Sequence, residues 1–257
     1  MVTERRYYLH EFVMVKESEG ERTRRAFDDP TSYLRNNPYV ALRAQAIRRM
    51  VPATSPKSIV DLGCGDGRIS IPLVADKDEL FLVDISKRML EIAIQNVPAE
   101  IADRVQFECT DLATFEPTRQ FDVVLCIGVL AHVPNRRSLI ELVSRCVAPG
   151  GCALLQFTDN SYLLGRVTNR LYVLLRRLFH PAAHRLNQMT IDDVLSDMAE
   201  QGFRLTASHR YVYLPGLQRL PSLFSRAMAQ LGGSKPVANC GGEVIAAFSR
   251  YPRDPAR

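Results

Sequence analysis

From Lys57 onward, short apolar runs alternate with stretches whose apolar positions recur every three or four residues. The runs are SIVDLG (58–63), LFLVDI (80–85), VQFECTD (105–111), FDVVLCIG (121–128) and CALLQFT (152–158). Near-continuous apolar runs mark strands covered on both faces, as in a parallel sheet. Between and after them the spacing predicts helices at about 67–75, 86–96, 135–147 and 190–201. An earlier helical pattern, Ser32 to Met50, carries Leu34, Val40, Leu42, Ala46, Ile47 and Met50 and ends before Pro52 and Pro56. A sixth run, FRLTASHRYVYL (203–214), and a last, EVIAAFSR (243–250), complete the set. This alternation predicts an α/β fold, a doubly wound sheet of seven strands, six parallel and the last antiparallel.

Two stretches break the alternation, 160–189 after the fifth strand and 215–240 between the sixth and seventh. Chain leaving the carboxyl end of a parallel strand lies on the ligand face of an open α/β sheet. Both insertions are therefore read as lids over a substrate. The organisation expected is an N-terminal arm, 1–31, and one domain, 32–257. Composition agrees: 46% hydrophobic and 24% charged residues exclude a disordered or fibrous chain. Uncharged apolar stretches fall well short of the roughly twenty residues of a spanning helix. The N-terminus is charged almost at once and lacks the apolar core of a signal peptide. Cys64, Cys109, Cys126, Cys146 and Cys152 lie in apolar context without CxxC spacing, and read as reduced, buried residues of a cytoplasmic protein.

The chemistry concentrates in residues 60–68, V-D-L-G-C-G-D-G-R. Gly63, Gly65 and Gly67 permit tight turning and close backbone approach to a ligand. A dinucleotide loop would read G-x-G-x-x-G, but the sixth position is Arg68 counted from Gly63 and Ser70 counted from Gly65. The spacing here is D-x-G-x-G-x-G.

That segment resembles motif I of the class I S-adenosylmethionine (SAM)-dependent methyltransferases. LFLVDIS, CTDLATF, FDVVLCIGVLAHVP, APGG (148–151) and TIDDVLSDMAEQGF follow in the family's order. The resemblance spans about 35–210 plus the last strand. It implies a Rossmann-like sheet and SAM as cofactor. It implies a cofactor site at Asp61, Gly63, Cys64, Gly65, Gly67, Asp84, Ile85, Asp111, Leu112 and Ile127. In that site Asp84 grips both ribose hydroxyls, Asp111 and Leu112 meet adenine, and Asp61 orients the loop and the methionine ammonium. Asp84 suits the ribose diol chemically, since a carboxylate accepts two charge-assisted hydrogen bonds. The alternative role for it is a cap on the helix that follows.

Methyl transfer to oxygen calls for a base near neutral pKa. His132 is the first candidate, with His184 and Tyr162 next, each against a packing or solvated role. Asp159-Asn160 matches part of a magnesium set in catechol-type enzymes, but strand four ends Cys126-Ile127-Gly128 without the third hard ligand. No metal is expected. The Asn-Pro-Pro-Tyr signature of amino methyltransferases is absent from the sequence.

Charge refines the substrate class. Residues 160–189 carry five arginines and 211–240 carry Arg219, Arg226 and Lys235, with no acid in either, leaving −3 for the rest of a chain of net +5. On a helical projection Leu164, Val167, Leu171, Leu174, Leu175 and Leu178 share one face, opposite the arginines. Two readings fit: a lid helix packed on its own domain, or peripheral contact of 163–178 with an anionic membrane. The chain is also similar to quinone, sugar and polyketide tailoring methyltransferases. The expected function is SAM-dependent, metal-independent O-methylation of a small or lipid-linked acceptor. The alternatives are methylation of RNA or protein, a non-catalytic SAM-binding protein and an NAD-dependent dehydrogenase. Nucleic acid is disfavoured, because little aromatic residue interleaves with the basic stretches.

Overall fold

The computed structural model describes residues 38–53, 57–161, 189–213, 227 and 241–251. The predicted arm, most of both insertions and the start of the first predicted helix lie outside the described residues. Helix α1 spans Pro38–Met50. Its buried face is Tyr39, Ala46 and Ile47, with Leu42 and Met50 partly covered, the spacing of one helical stripe.

Seven strands form one sheet in the order β3-β2-β1-β4-β5-β7-β6. They are β1 Ser58–Leu62, β2 Glu79–Asp84, β3 Val105–Cys109, β4 Phe121–Cys126, β5 Val147–Thr158, β6 Phe203–Tyr211 and β7 Glu243–Arg250. The first five pair in parallel. Strand β7 runs antiparallel to both β5 and β6, as expected from the sequence. Helices α2 (Lys87–Asn96), α3 (Arg136–Cys146) and α4 (Ile191–Glu200) start from the side-chain caps Ser86, Asn135 and Thr190. Apolar clusters cover both sheet faces. Helix α1 and α2 residues lie in one cluster; α3 and α4 residues lie in the other. This two-sided burial is why the strands read as unbroken apolar runs.

Five expectations need correction. The helix predicted at 67–75 is a 3-10 turn, Ile71–Leu73. Ile71 still donates to the Gly67 carbonyl at 2.9 Å, but Pro72 has no N–H for the next bond, and the turn tightens. Strand four stops at Cys126 because Gly128, at φ +80°, turns the chain away. Strand six stops at Tyr211 rather than 214, and strand five starts at Val147 rather than 152. Cys109 is exposed, unlike Cys64, Cys126, Cys146 and Cys152, because it ends the edge strand β3.

The strand order reverses between β1 and β4. Ligands of open α/β sheets bind at the carboxyl ends of the strands beside such a switch.

Candidate cofactor and active site

Strand β1 delivers Asp61 and then a loop of left-handed glycines, Gly63 at φ +79°, Gly65 at +57° and Gly67 at +73°. A side chain at 63 would collide with Val129, whose Cγ2 lies 2.4 Å from the Cβ position. The Gly63 and Cys64 amides both donate to the Val83 carbonyl, at 2.8 and 3.0 Å. The loop is thus fastened to the end of β2.

The fastening continues through a side chain. Asp84, buried at the end of β2, accepts from the Gly65 amide at 2.8 Å through Oδ2 and from the Ser86 amide at 2.8 Å through Oδ1. Ser86 in turn caps α2 by accepting from the Met89 amide. Asp84 therefore braces the loop and the helix start together. A carboxylate offers about four lone-pair directions, so these two bonds leave acceptor capacity for a diol. Asp61 sits opposite, 2% exposed, and its Oδ1 has no hydrogen-bond partner among the described residues. Burial pushes its carboxyl up to about 7; the Ser70 hydroxyl opposes this and the Asp84 charge adds to it. A buried acid on a cleft wall with one oxygen left without a hydrogen bond is suited to a cationic ligand group.

Asp61, Gly63, Cys64 and Ile127 line one cleft, together with Asp66, Arg68 and Ile69 from the loop and Val40 and Arg43 from α1. Sequence reading missed the α1 contribution, although Arg43 lies in a predicted helix. The Arg68 guanidinium pairs with Asp66. Arg43 instead donates through Nε to the phenol oxygen of Tyr211 at 2.8 Å. The cleft thus combines a buried carboxylate, a guanidinium and a glycine loop. Those groups suit an amino-acid zwitterion joined to a nucleoside.

Comparison with known proteins agrees with this geometry. The methyltransferase-domain family matches residues 60–153. The ubiquinone biosynthesis O-methyltransferase of Nitrosomonas europaea is 30% identical over 164 residues, covering 62% of this chain and 68% of that protein. The chain belongs to the SAM-dependent methyltransferases. The trans-aconitate 2-methyltransferase of Methylobacterium nodulans is 37% identical over 112 residues, 43% of this chain, and the match spans only 42% of that relative's length. The magnesium protoporphyrin IX methyltransferase of Synechocystis PCC 6803, solved with bound SAH, shares the fold. Its TM-score is 0.64 at 17% identity, over 91% of this chain and 100% of that one. The cofactor of the family is SAM, and the residues present fit it: a buried acid on the cleft wall with one oxygen lacking a hydrogen bond, a guanidinium beside it, and a glycine loop packed too closely for side chains.

The other sequence-predicted site residues are not among those that line this cleft. Ile85 follows Asp84, partly buried. Asp111 and Leu112 follow β3, and the Thr110 amide donates to the Asp84 carbonyl at 3.0 Å. Asp111 Oδ1 accepts from the Ala113 amide at 2.9 Å, so the acid also shapes its own turn. His132 lies in the turn after β4, its amide bonded to the Val129 carbonyl at 2.8 Å and its side chain half-buried. Val129 is the residue against which Gly63 packs. Tyr162 and His184 lie outside the described residues, as does 163–178.

Asp159 has a structural occupation. It is fully buried and paired with Arg210 at 2.6 Å, and its other oxygen accepts from Ser161 and from the Ile191 amide. Burial pushes its carboxyl up, but those hydrogen bonds outweigh it and the pKa is lowered. Among the described residues no group of three or more His, Cys, Asp or Glu side chains could hold a metal ion.

Proposed function

We propose that the protein transfers the SAM methyl group to an oxygen of a small or amphiphilic metabolite, without a metal ion. The observation that carries the reading is the Gly65–Asp84 hydrogen bond together with the buried Asp61, whose Oδ1 lacks a hydrogen-bond partner, which supplies a ribose acceptor and an ammonium acceptor from one loop. When bound, SAM supplies an electrophilic methyl group on a sulfonium. Asp84 accepts from the ribose hydroxyls, Asp61 pairs with the ammonium, and Arg43 meets the methionine carboxylate. Asp111 and Leu112 flank adenine. His132, in the turn that begins at the cleft residue Ile127, would take the proton of the acceptor hydroxyl.

Oxygen is favoured by the name of the Nitrosomonas relative, an O-methyltransferase of ubiquinone biosynthesis. An amphiphilic acceptor is favoured by the sequence of 163–178, with leucines on one projected face and arginines on the other. No helix among the described residues is long and apolar enough to cross a membrane. Surface docking through 163–178 is therefore the membrane contact we propose.

The test is an acceptor screen with labelled SAM across phenols, organic acids, glycans, quinone precursors and polyprenyl lipids. The expected result is S-adenosylhomocysteine (SAH) released only with an oxygen acceptor, and slowed in His132→Gln at unchanged SAH affinity. Label on nitrogen, or on tRNA, contradicts the reading. Co-sedimentation with phosphatidylglycerol vesicles that stays at background contradicts the docking.

A further inference from the structure

Arg43 reaches the cleft with a row of buried polar groups behind it. Tyr211, fully buried at the end of β6, accepts from Arg43 Nε and from Gln156 Nε2, each at 2.8 Å. Gln156, on β5, also donates to Glu243 Oε2 at 2.9 Å, and the Thr158 hydroxyl donates to Glu243 Oε1 at 2.7 Å. The Tyr211 ring is held from α1 by Tyr39, with centroids 5.9 Å apart, and Tyr39 meets Tyr213 at 4.9 Å. Strand β5 thus places two members, and β6 and β7 one each, in a row at the carboxyl edge of the sheet.

Such a row is expensive inside an apolar face, since buried polar groups must be paired to be tolerated. Packing alone would be served as well by Phe, Leu and Val. What the row adds is direction. Burial raises the Tyr211 phenol above its ordinary pKa, so its oxygen anchors Nε as a neutral group. A planar guanidinium fixed at Nε presents its outer nitrogens in a set plane, which is how a carboxylate is gripped bidentately.

We propose that Tyr211 is a positioning residue for the cofactor, orienting Arg43 toward the carboxylate of the methionine portion and so selecting ligands that carry it. The inference rests on the Arg43 assignment made above. The Gln156–Glu243–Thr158 row keeps the phenol in place.

The experiment measures the binding of two ligands by isothermal titration: SAH, and 5′-methylthioadenosine, which lacks the amino-acid portion. In Tyr211→Phe, SAH affinity should fall about tenfold, the size of one lost hydrogen bond to a charged group. Methylthioadenosine should be unchanged, which also reports that the variant is folded. In an Arg43→Met background the same change should cost nothing further, since the two act as one unit. If Tyr211→Phe does not fold, Gln156→Leu removes the second donor to the phenol and should show the same selective loss. Equal loss of both ligands, or unchanged SAH binding in Tyr211→Phe beside a loss in Arg43→Met, overturns the inference and leaves the Arg43 assignment standing. Unchanged SAH binding in Arg43→Met overturns that assignment, and the inference with it.

Discussion

The amide of Gly65 donates to Asp84 Oδ2 at 2.8 Å, so the middle glycine of the β1 loop and the acid that ends β2 are one hydrogen-bonded unit. Asp84 is also the acceptor for the Ser86 amide at 2.8 Å. The residue proposed for the ribose therefore holds the loop that borders the cleft. Ligand binding and local stability should be hard to separate at this position.

Asp84→Ala should both unfold more easily and lose SAH binding. It orphans two buried N–H donors, at about 1–3 kcal/mol each. Asp84→Asn keeps one acceptor oxygen, and should cost less stability while still weakening SAH about tenfold or more through the lost charge. Urea denaturation and titration calorimetry on both variants measure the two effects separately. An Asn variant with wild-type affinity would take Asp84 out of the site.

Asp61 gives a pH signature. Its carboxyl lies at about 7 in the folded protein against an ordinary value of 3.8. Between those values the folded chain holds a proton that the unfolded chain has released. The stability contributed by this group is complete below the lower value and is lost as pH rises through about 7, with a slope of at most about 1.4 kcal/mol per pH unit. Binding runs the other way, because an ammonium pairs with the ionised acid. SAH affinity should rise with pH across neutrality in the wild type and flatten in Asp61→Asn. Calorimetry at pH 6, 7 and 8 checks this.

Glycines in the same left-handed region should respond unequally to alanine. Gly63 and Gly128 have φ of +79° and +80°, but a Cβ at 63 meets Val129 at 2.4 Å while one at 128 meets nothing within 4 Å. Gly128→Ala should cost about 1–2 kcal/mol, the strain alone. Gly63→Ala should cost about 1–3 kcal/mol more from overpacking, and Val129→Ala should recover part of that excess. Thermal unfolding of the four proteins decides it.

Much of this arrangement was legible in the sequence because it is local or periodic. Apolar runs gave the strands, and D-x-G-x-G-x-G marked the loop that borders the cleft. The 67–75 helix was misread because a single residue, Pro72, outweighs the helical spacing around it. The Arg43–Tyr211 bond joins residues 168 apart, and the Asp159–Arg210 pair joins residues 51 apart. No local pattern encodes either contact, and only the folded sheet brings them together. The bracing role of Asp84 was legible only as an alternative, a cap for the following helix, because its bond to the Gly65 amide crosses between two strand ends.

The Asp159–Arg210 pair should be a stability determinant. Arg210→Met leaves a buried carboxylate uncompensated, at about 3–5 kcal/mol. The lowered pKa of Asp159 means that its contribution is present above 3.8 and is lost as pH falls below that value. Acid unfolding monitored by circular dichroism should therefore begin at higher pH in Arg210→Met than in the wild type. Coincident acid transitions would show that the pair contributes nothing.

The most direct measurement is a crystal structure grown with saturating SAH. We predict ribose hydroxyls within about 2.6–3.0 Å of the Asp84 carboxylate, the ammonium against Asp61 and the adenine beside Asp111 and Leu112. Density for the ligand elsewhere, or a cleft that stays empty at saturation, would contradict the account.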